Sequence, residues 1–170
     1  MPMSRSLSMT TESDAQYRAA KSSAALVDRS AHGRLLVSGA DGIEFLQRMT
    51  TNDFHGLGAG DGLQTVLTTP EARIIDLLTA YVQPESILVV TSPPNRAKVL
   101  AWFRRNIFFR DKVKAADVTD TLAQIGVFGP QAGRVVDALT GKEASCLTPY
   151  RFDVTMWNGG EMMVARVPGI

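Results

Sequence analysis

Cysteine is almost absent. The 170 residues contain one, Cys146, which rules out an internal disulfide. Histidine is nearly as scarce, at two residues. Neither stands in a Cys/His cluster at metal-ligand spacing, so the common zinc patterns are excluded and no metal site is expected. No apolar run approaches the roughly 20 residues needed to span a bilayer. The opening MPMSRSLSMTTESD lacks the apolar middle of a secretory signal. These features fit a reducing compartment, and the expectation is a cytoplasmic protein. Net charge is +1, so no global field gathers nucleic acid or an anionic membrane.

What is present suits one folded domain. Hydrophobic residues make up 45% and charged residues 21% of the chain, enough apolar surface for a core. Residues 1–12 are expected to form a flexible N-terminal tail and residues 13–170 the folded region. Ser13-Asp14-Ala15-Gln16 has capping-box form and opens a helix with Tyr17, Ala20, Ala24 and Val27 at helical spacing. The turn DRSAHG leads into a strand, RLLVSG. ADGIEFLQRM reads as a second helix, with Asp41 as its N-cap and Ile43, Leu46 and Met49 on one side. HGLGAGDG has neither the dinucleotide nor the Walker spacing, so it is read as a mobile connection.

LQTVLTT and RIIDLLTAYV form a hairpin around a proline turn, and SILVVTS a further strand. Prolines open a helix over PPNRAKVLAWFRRNIFF, with Leu100, Phe103 and Ile107 as its core stripe. Two more strands, a helix at PQAGRVVDAL and a last hairpin around Asn158-Gly159-Gly160 complete the chain. Mixed helices and largely antiparallel strands predict an α+β class with helices packed on one face of the sheet.

Few residues carry chemistry on their own. His32 lies in a turn, where ligand-contacting residues concentrate, although a plain turn role is the default. His55 has no visible partner. Nothing around Cys146 marks it as an activated nucleophile. Arg96, Lys98, Arg104, Arg105, Arg110, Lys112 and Lys114, interleaved with Trp102, Phe103, Phe108 and Phe109, make a basic stretch over 96–114. It could bind single-stranded RNA by stacking, or dock a protein or a carboxylate-rich tail. The competing reading is a core helix with a wet basic side.

Asp76 sits inside RIIDLL. Strict strand alternation puts Ile74, Asp76, Leu78 and Ala80 on one face and Arg73, Ile75, Leu77, Thr79 and Tyr81 on the other. A ligand over the Thr79/Tyr81 face would then find Asp76 pointing away.

Four stretches together resemble the glycine-cleavage T-protein (aminomethyltransferase) superfamily, which also contains folate-binding proteins that assist iron–sulfur cluster assembly. They are ALVDRSAHGRLLVSGADGIEFLQRMTTND (25–53), TVLTTPEARIIDLLTAYV (65–82), ILVVTSPPNRAKVLAW (87–102) and GVFGPQA (126–132), in the family's order and near its spacing. The resemblance implies the front part of a folate-binding fold: ferredoxin-like α+β units, with the family's C-terminal barrel and its pterin-holding acid lying beyond Ile170. It implies tetrahydrofolate, or another reduced folate, as cofactor. It implies a lipoyl carrier protein or iron–sulfur proteins as partners; composition argues against a membrane and makes nucleic acid the weaker expectation.

In the aminomethyltransferases the strand similar to RIIDLL carries two adjacent acids, and the second is catalytic. Here the first matches Asp76 and the second is Leu77, which can neither accept a hydrogen bond nor stabilise a cation. No residue of this chain is therefore assigned the catalytic role. Tyr81 matches a tyrosine lining the folate site. Thr79, Gln64 and Thr91 fall at pocket positions with altered residue types, and His32 falls where the aminomethyltransferases have an apolar residue. The resemblance thus implies a folate-binding protein without aminomethyl transfer, in one-carbon metabolism or iron–sulfur assembly. A functional aminomethyltransferase is the first alternative, and an RNA-binding or protein-interaction module on the basic stretch the second.

Overall fold

The computed structural model describes residues 11–141 and 143–168. Its centre is a five-stranded antiparallel sheet built from β2 (Gly33–Ser38), β3 (Gly62–Thr68), β4 (Ile74–Val82), β5 (Ser86–Thr91) and β6 (Lys114–Asp117), in the order β3-β4-β5-β2-β6. Two helices, α2 (Gly42–Met49) and α3 (Arg96–Asn106), cover one face. A two-stranded sheet pairs β1 (Ala25–Asp28) with β7 (Ile125–Phe128), flanked by α1 (Thr11–Ser22) and α4 (Ala132–Thr140). The hairpin of β8 (Phe152–Trp157) and β9 (Gly160–Ala165) ends the described chain. This is the expected α+β architecture.

The alternating apolar residues of each central strand explain the core. Leu63 and Leu67 of β3, Leu78 and Ala80 of β4, Val89 of β5, and Leu35 and Val37 of β2 all face the helices. Phe45 and Leu46 of α2 and Val99 and Phe103 of α3 pack onto them, and the rings of Phe45 and Phe103 meet edge to face at 5.5 Å.

Several details depart from the expected pattern. The first helix begins at Thr11, so Ser13 lies inside it rather than at its cap. It ends at Ser22, and Val27 belongs to β1, a strand that residue periodicity alone hid. This short segment, Ala-Leu-Val-Asp, pairs across about 100 residues with β7, and the long-range pairing overrides the local helical spacing. Asp41 stands at the N-cap of α2 as expected, but its side chain makes no cap bond; its carboxylate accepts the Lys112 N–H instead. The deep residues of α3 are Val99 and Phe103, with Leu100 and Ile107 only partly buried.

The largest departure is in β4. The pairing register shifts between Leu67 and Thr68, so that Leu67 opposes Asp76 and Thr68 opposes Ile74. Ile75 is the extra residue of a β-bulge. It turns inward and is 6% exposed, while Ile74 is 72% exposed. Strict alternation placed these two isoleucines on the wrong sides. Beyond the bulge the alternation resumes as expected.

Candidate functional site

The second face of the central sheet is only partly covered, and the register reads off its layout. Gln64, Thr79, Val90 and Arg34 oppose one another in one row across β3, β4, β5 and β2. The next row holds Gly62, Tyr81, Leu88, Leu36 and Ala116. On the other side lie Val66 and Leu77, with His32 just before β2. The β8–β9 hairpin closes one end: Phe152 meets the Tyr81 ring edge to face at 5.7 Å, with Leu88 beneath and Val90, Val118, Met163 and Ala165 around them. The other end stays open, with Leu77 at 49% exposure and Gln64 exposed.

Gly62 is placed by this packing. A Cβ there would lie 2.6 Å from the Tyr150 carbonyl oxygen and 2.7 Å from both the Ala80 carbonyl oxygen and the Tyr81 ring. Only glycine lets the chain before β8 approach the sheet so closely. Tyr150 itself takes φ 63°, a left-handed conformation rare for a tyrosine, and its hydroxyl stands 3.4 Å from Gln64 Oε1.

Asp76 is buried at 4% exposure on the helix side of the sheet. Its Oδ2 accepts the Ser92 N–H at 2.9 Å and its Oδ1 the Asn95 Nδ2 at 3.1 Å. It anchors the 3-10 turn Pro93–Asn95 that feeds α3. Leu77, one residue on, points to the opposite face. The two adjacent positions therefore do different work, and Asp76 has no route to the open face without a register slip.

Of the residues singled out in the sequence, Leu77, Thr79, Tyr81 and Gln64 share the open face, with His32 at its edge. Thr91 does not join them. It opposes Gly33 on the helix side and is 1% exposed. Burial pushes the Tyr81 hydroxyl up to about 12, with Tyr150 adding to the rise and the nearby Arg29 opposing it. Among the described residues neither the Tyr81 nor the Thr79 hydroxyl has a hydrogen-bond partner.

His32 is half-buried. Its Nε2 accepts from Arg29 Nε at 3.2 Å and Nη2 at 3.1 Å, and its Nδ1 lies 3.1 Å from the Thr91 carbonyl oxygen. Arginine has only donors, so Nε2 is unprotonated and Nδ1–H donates to Thr91. Desolvation first, then Arg29, hold the imidazole pKa below its ordinary value. Arg34 is 3% exposed, and its guanidinium donates to the carbonyls of His32, Ser30 and Thr119. Sequence reasoning missed Arg29 and Tyr150. The three-residue spacing of Arg29 and His32 in one turn was a usable signal; nothing local marks Tyr150.

The basic stretch breaks up. The α3 helix stops at Asn106, so the basic stretch over 96–114 runs past it into the following loop and β6. Arg96 is tied to Asp117 and Asp120, and Arg104 donates to the Ala115 carbonyl. Phe103 is core, while Phe108 and Phe109 are exposed. Among the described residues no group of histidines, cysteines and acids could hold a metal, and no helix is long and apolar enough to cross a membrane. A half-open surface hollow of about 330 Å³ sits between α4 and the last hairpin, lined by residues such as Thr140, Leu147 and Val164.

Comparison with known proteins points the same way as this layout. An aminomethyltransferase of Rubrobacter xylanophilus is 35% identical over 152 residues, covering 89% of this chain and 41% of its own length. One of Bacillus subtilis is 31% identical over 153 residues, covering 89% of this chain and 42% of its own. A chloroplastic transferase of Arabidopsis thaliana is 36% identical over 114 residues, 67% of this chain and 26% of its own length. The chain thus spans less than half the length of these relatives. The crystal structure of the glycine cleavage system aminomethyltransferase T from Bartonella henselae superposes with a TM-score of 0.72 at 20% identity, covering 81% of this chain and 37% of that one. That likeness fixes the fold. The sequence model of the GCVT N-terminal domain matches residues 4–168, and the chain belongs to that family.

Proposed function

We propose that this chain supplies the sheet face of a tetrahydrofolate-binding site and does not carry out aminomethyl transfer. The observation that carries the reading is Leu77. It stands half-exposed on the open face where the aminomethyltransferases are expected to place their catalytic acid. The neighbouring carboxylate, Asp76, is consumed beneath the sheet by Ser92 and Asn95. Tyr81, Thr79 and Gln64 offer hydroxyl and amide hydrogens to the acceptor edges of a pterin, and Leu77 and Val90 offer apolar contact to its ring face. A protein that binds a reduced folate without this transfer fits a supporting role in one-carbon metabolism or iron–sulfur cluster assembly.

The relatives' names favour a second reading, an aminomethyltransferase, for which the resemblance implies a lipoyl carrier protein as partner. Two measurements decide. Calorimetric titration with tetrahydrofolate under reducing, oxygen-free conditions is expected to show micromolar binding, about −8 kcal/mol; absence of binding overturns the folate reading. Ammonia release from an aminomethyl-lipoyl donor is expected to be undetectable for the wild type. A wild-type rate that Leu77→Asp does not improve overturns the loss of transfer.

A further inference from the structure

Among the described residues, the strand rows of the open face carry donors and a cation but no carboxylate. Gly62, Gln64, Val66, Leu77, Thr79, Tyr81, Leu88, Val90, Arg34 and Leu36 fill its rows, and none is acidic. Arg34 is a buried cation whose side-chain hydrogen bonds go to carbonyl oxygens; its charge also reaches the Asp28 carboxylate, and its Nε has no partner among the described residues. Arg29 is the cation within reach of a ligand. It has no carboxylate partner among the described residues, and its Nη1 is unengaged. Its field reaches the Tyr81 hydroxyl.

Arg29 is also held in place. A Cβ on Gly126 of β7 would lie 3.1 Å from Arg29 Cδ, so its stem lies against that strand. His32 takes its Nε and Nη2 on a single lone pair while Nδ1–H is fixed to Thr91. A carboxylate in the place of His32 would aim the guanidinium equally well but cancel its charge. The neutral imidazole aims it and leaves the charge available. The groups facing this imidazole are Arg29 on its own turn, Arg34 of β2 and Asp76 from the far side of β4.

We propose that Arg29, positioned by His32, selects an anionic ligand for this face: an aromatic or heteroaromatic molecule whose carboxylate meets the free edge of the guanidinium. The inference rests on the reading of this face as a ligand site and names the charge of the ligand it takes. A ligand presenting an ammonium group is disfavoured, because Arg29 faces it and the described strand rows of this face hold no acid.

The test is calorimetric titration of the chain and of R29Q, H32L and H32N with three probes: tetrahydrofolate, 4-aminobenzoate, and the uncharged 6-methyltetrahydropterin. R29Q is expected to weaken both carboxylate probes by about tenfold or more and to leave the neutral pterin within about twofold. H32L, which removes the acceptor that aims Arg29, should weaken the carboxylates similarly. H32N, whose side-chain oxygen can still accept from Arg29, should recover most of the loss. Equal binding of tetrahydrofolate by wild type and R29Q overturns the inference and leaves the folate reading standing. Wild-type binding of 4-aminobenzoate that depends on Arg29, without tetrahydrofolate binding, removes the folate reading and supports the inference. If neither carboxylate binds the wild type, both fall. Equal weakening of the neutral pterin by R29Q also overturns the inference, since it would mark a structural role.

Discussion

Asp76→Ala separates a structural carboxylate from a catalytic one. The substitution removes two hydrogen bonds to a charged acceptor, from Ser92 N–H at 2.9 Å and Asn95 Nδ2 at 3.1 Å. Bonds of this kind contribute about 1.5–3 kcal/mol each. The second is partly retained, because Asn95 Nδ2 also lies 3.3 Å from the Ile75 carbonyl oxygen. The Ser92 N–H is left unpaired at the entry to α3, whose Val99 and Phe103 fill the core. The expected loss is about 3 kcal/mol. For a chain of this length about 1 kcal/mol moves the melting temperature by roughly 2–4 °C, so the variant should melt about 6–12 °C lower. Asp76→Asn keeps one acceptor for Ser92 and should lose about half as much. Circular-dichroism melts measure the stability, and calorimetry of the folded variants at low temperature measures ligand affinity, which should be unchanged. A melting point within about 2 °C of wild type would refute the structural role. Unchanged stability with a tenfold loss of affinity would move Asp76 into the site.

Three further outcomes follow from the same geometry. Phe103→Ala removes a fully buried ring stacked edge to face on Phe45; urea titration should show a loss of about 3–5 kcal/mol. Gly62→Ala forces a methyl against the Tyr150 and Ala80 carbonyls and the Tyr81 ring. It should cost about 1–3 kcal/mol and weaken ligand binding, because Tyr81 must move. His32 has a folded pKa below its ordinary 6.5, so protons bind the unfolded chain more readily. Stability should fall as pH drops below about 6.5 and stop falling once the folded imidazole is also protonated; urea midpoints across that range, compared with those of H32L, would show whether this slope belongs to His32.

The legible parts of the fold were those set by local pattern. The strands β2 to β5 follow from apolar alternation, and α2 and α3 from helical spacing and the prolines before α3. The illegible parts depend on distant contacts. β1 exists because Leu26 and Val27 pair with Val127 and Gly126. Asp41 serves Lys112 rather than its own helix because the loop after α3 returns to it. The site divided the same way. Leu77, Thr79, Tyr81 and Gln64 lie together because strand periodicity and hairpin register are local properties. Thr91, two residues from the core residue Val89, lies on the helix side by the same alternation. Arg29 and Tyr150 reach the face from loops, where direction is set by tertiary contacts that no short window encodes.

The bulge at Ile75 decides how much one substitution can change. Without it, Ile75 would stand on the open face beside Leu77 and deepen an already apolar patch. With it, Ile75 and Asp76 both turn inward, and Leu77 is the first β4 residue after the bulge to meet the open face. An acid at that position would be the one carboxylate in the described strand rows of this face, set against Arg29 and the buried Arg34. A leucine adds no charge of its own to offset Arg29, while Arg34 already has Asp28 within electrostatic range. The electrostatic sign of the face therefore turns on residue 77, while its shape does not, since Leu77 is half-exposed and little packs upon it. Leu77→Asp should change stability by less than about 0.5 kcal/mol. The same change should weaken 4-aminobenzoate by repulsion. A variant that kept its stability and bound the anion as well as wild type would show that residue 77 does not set the charge this face prefers.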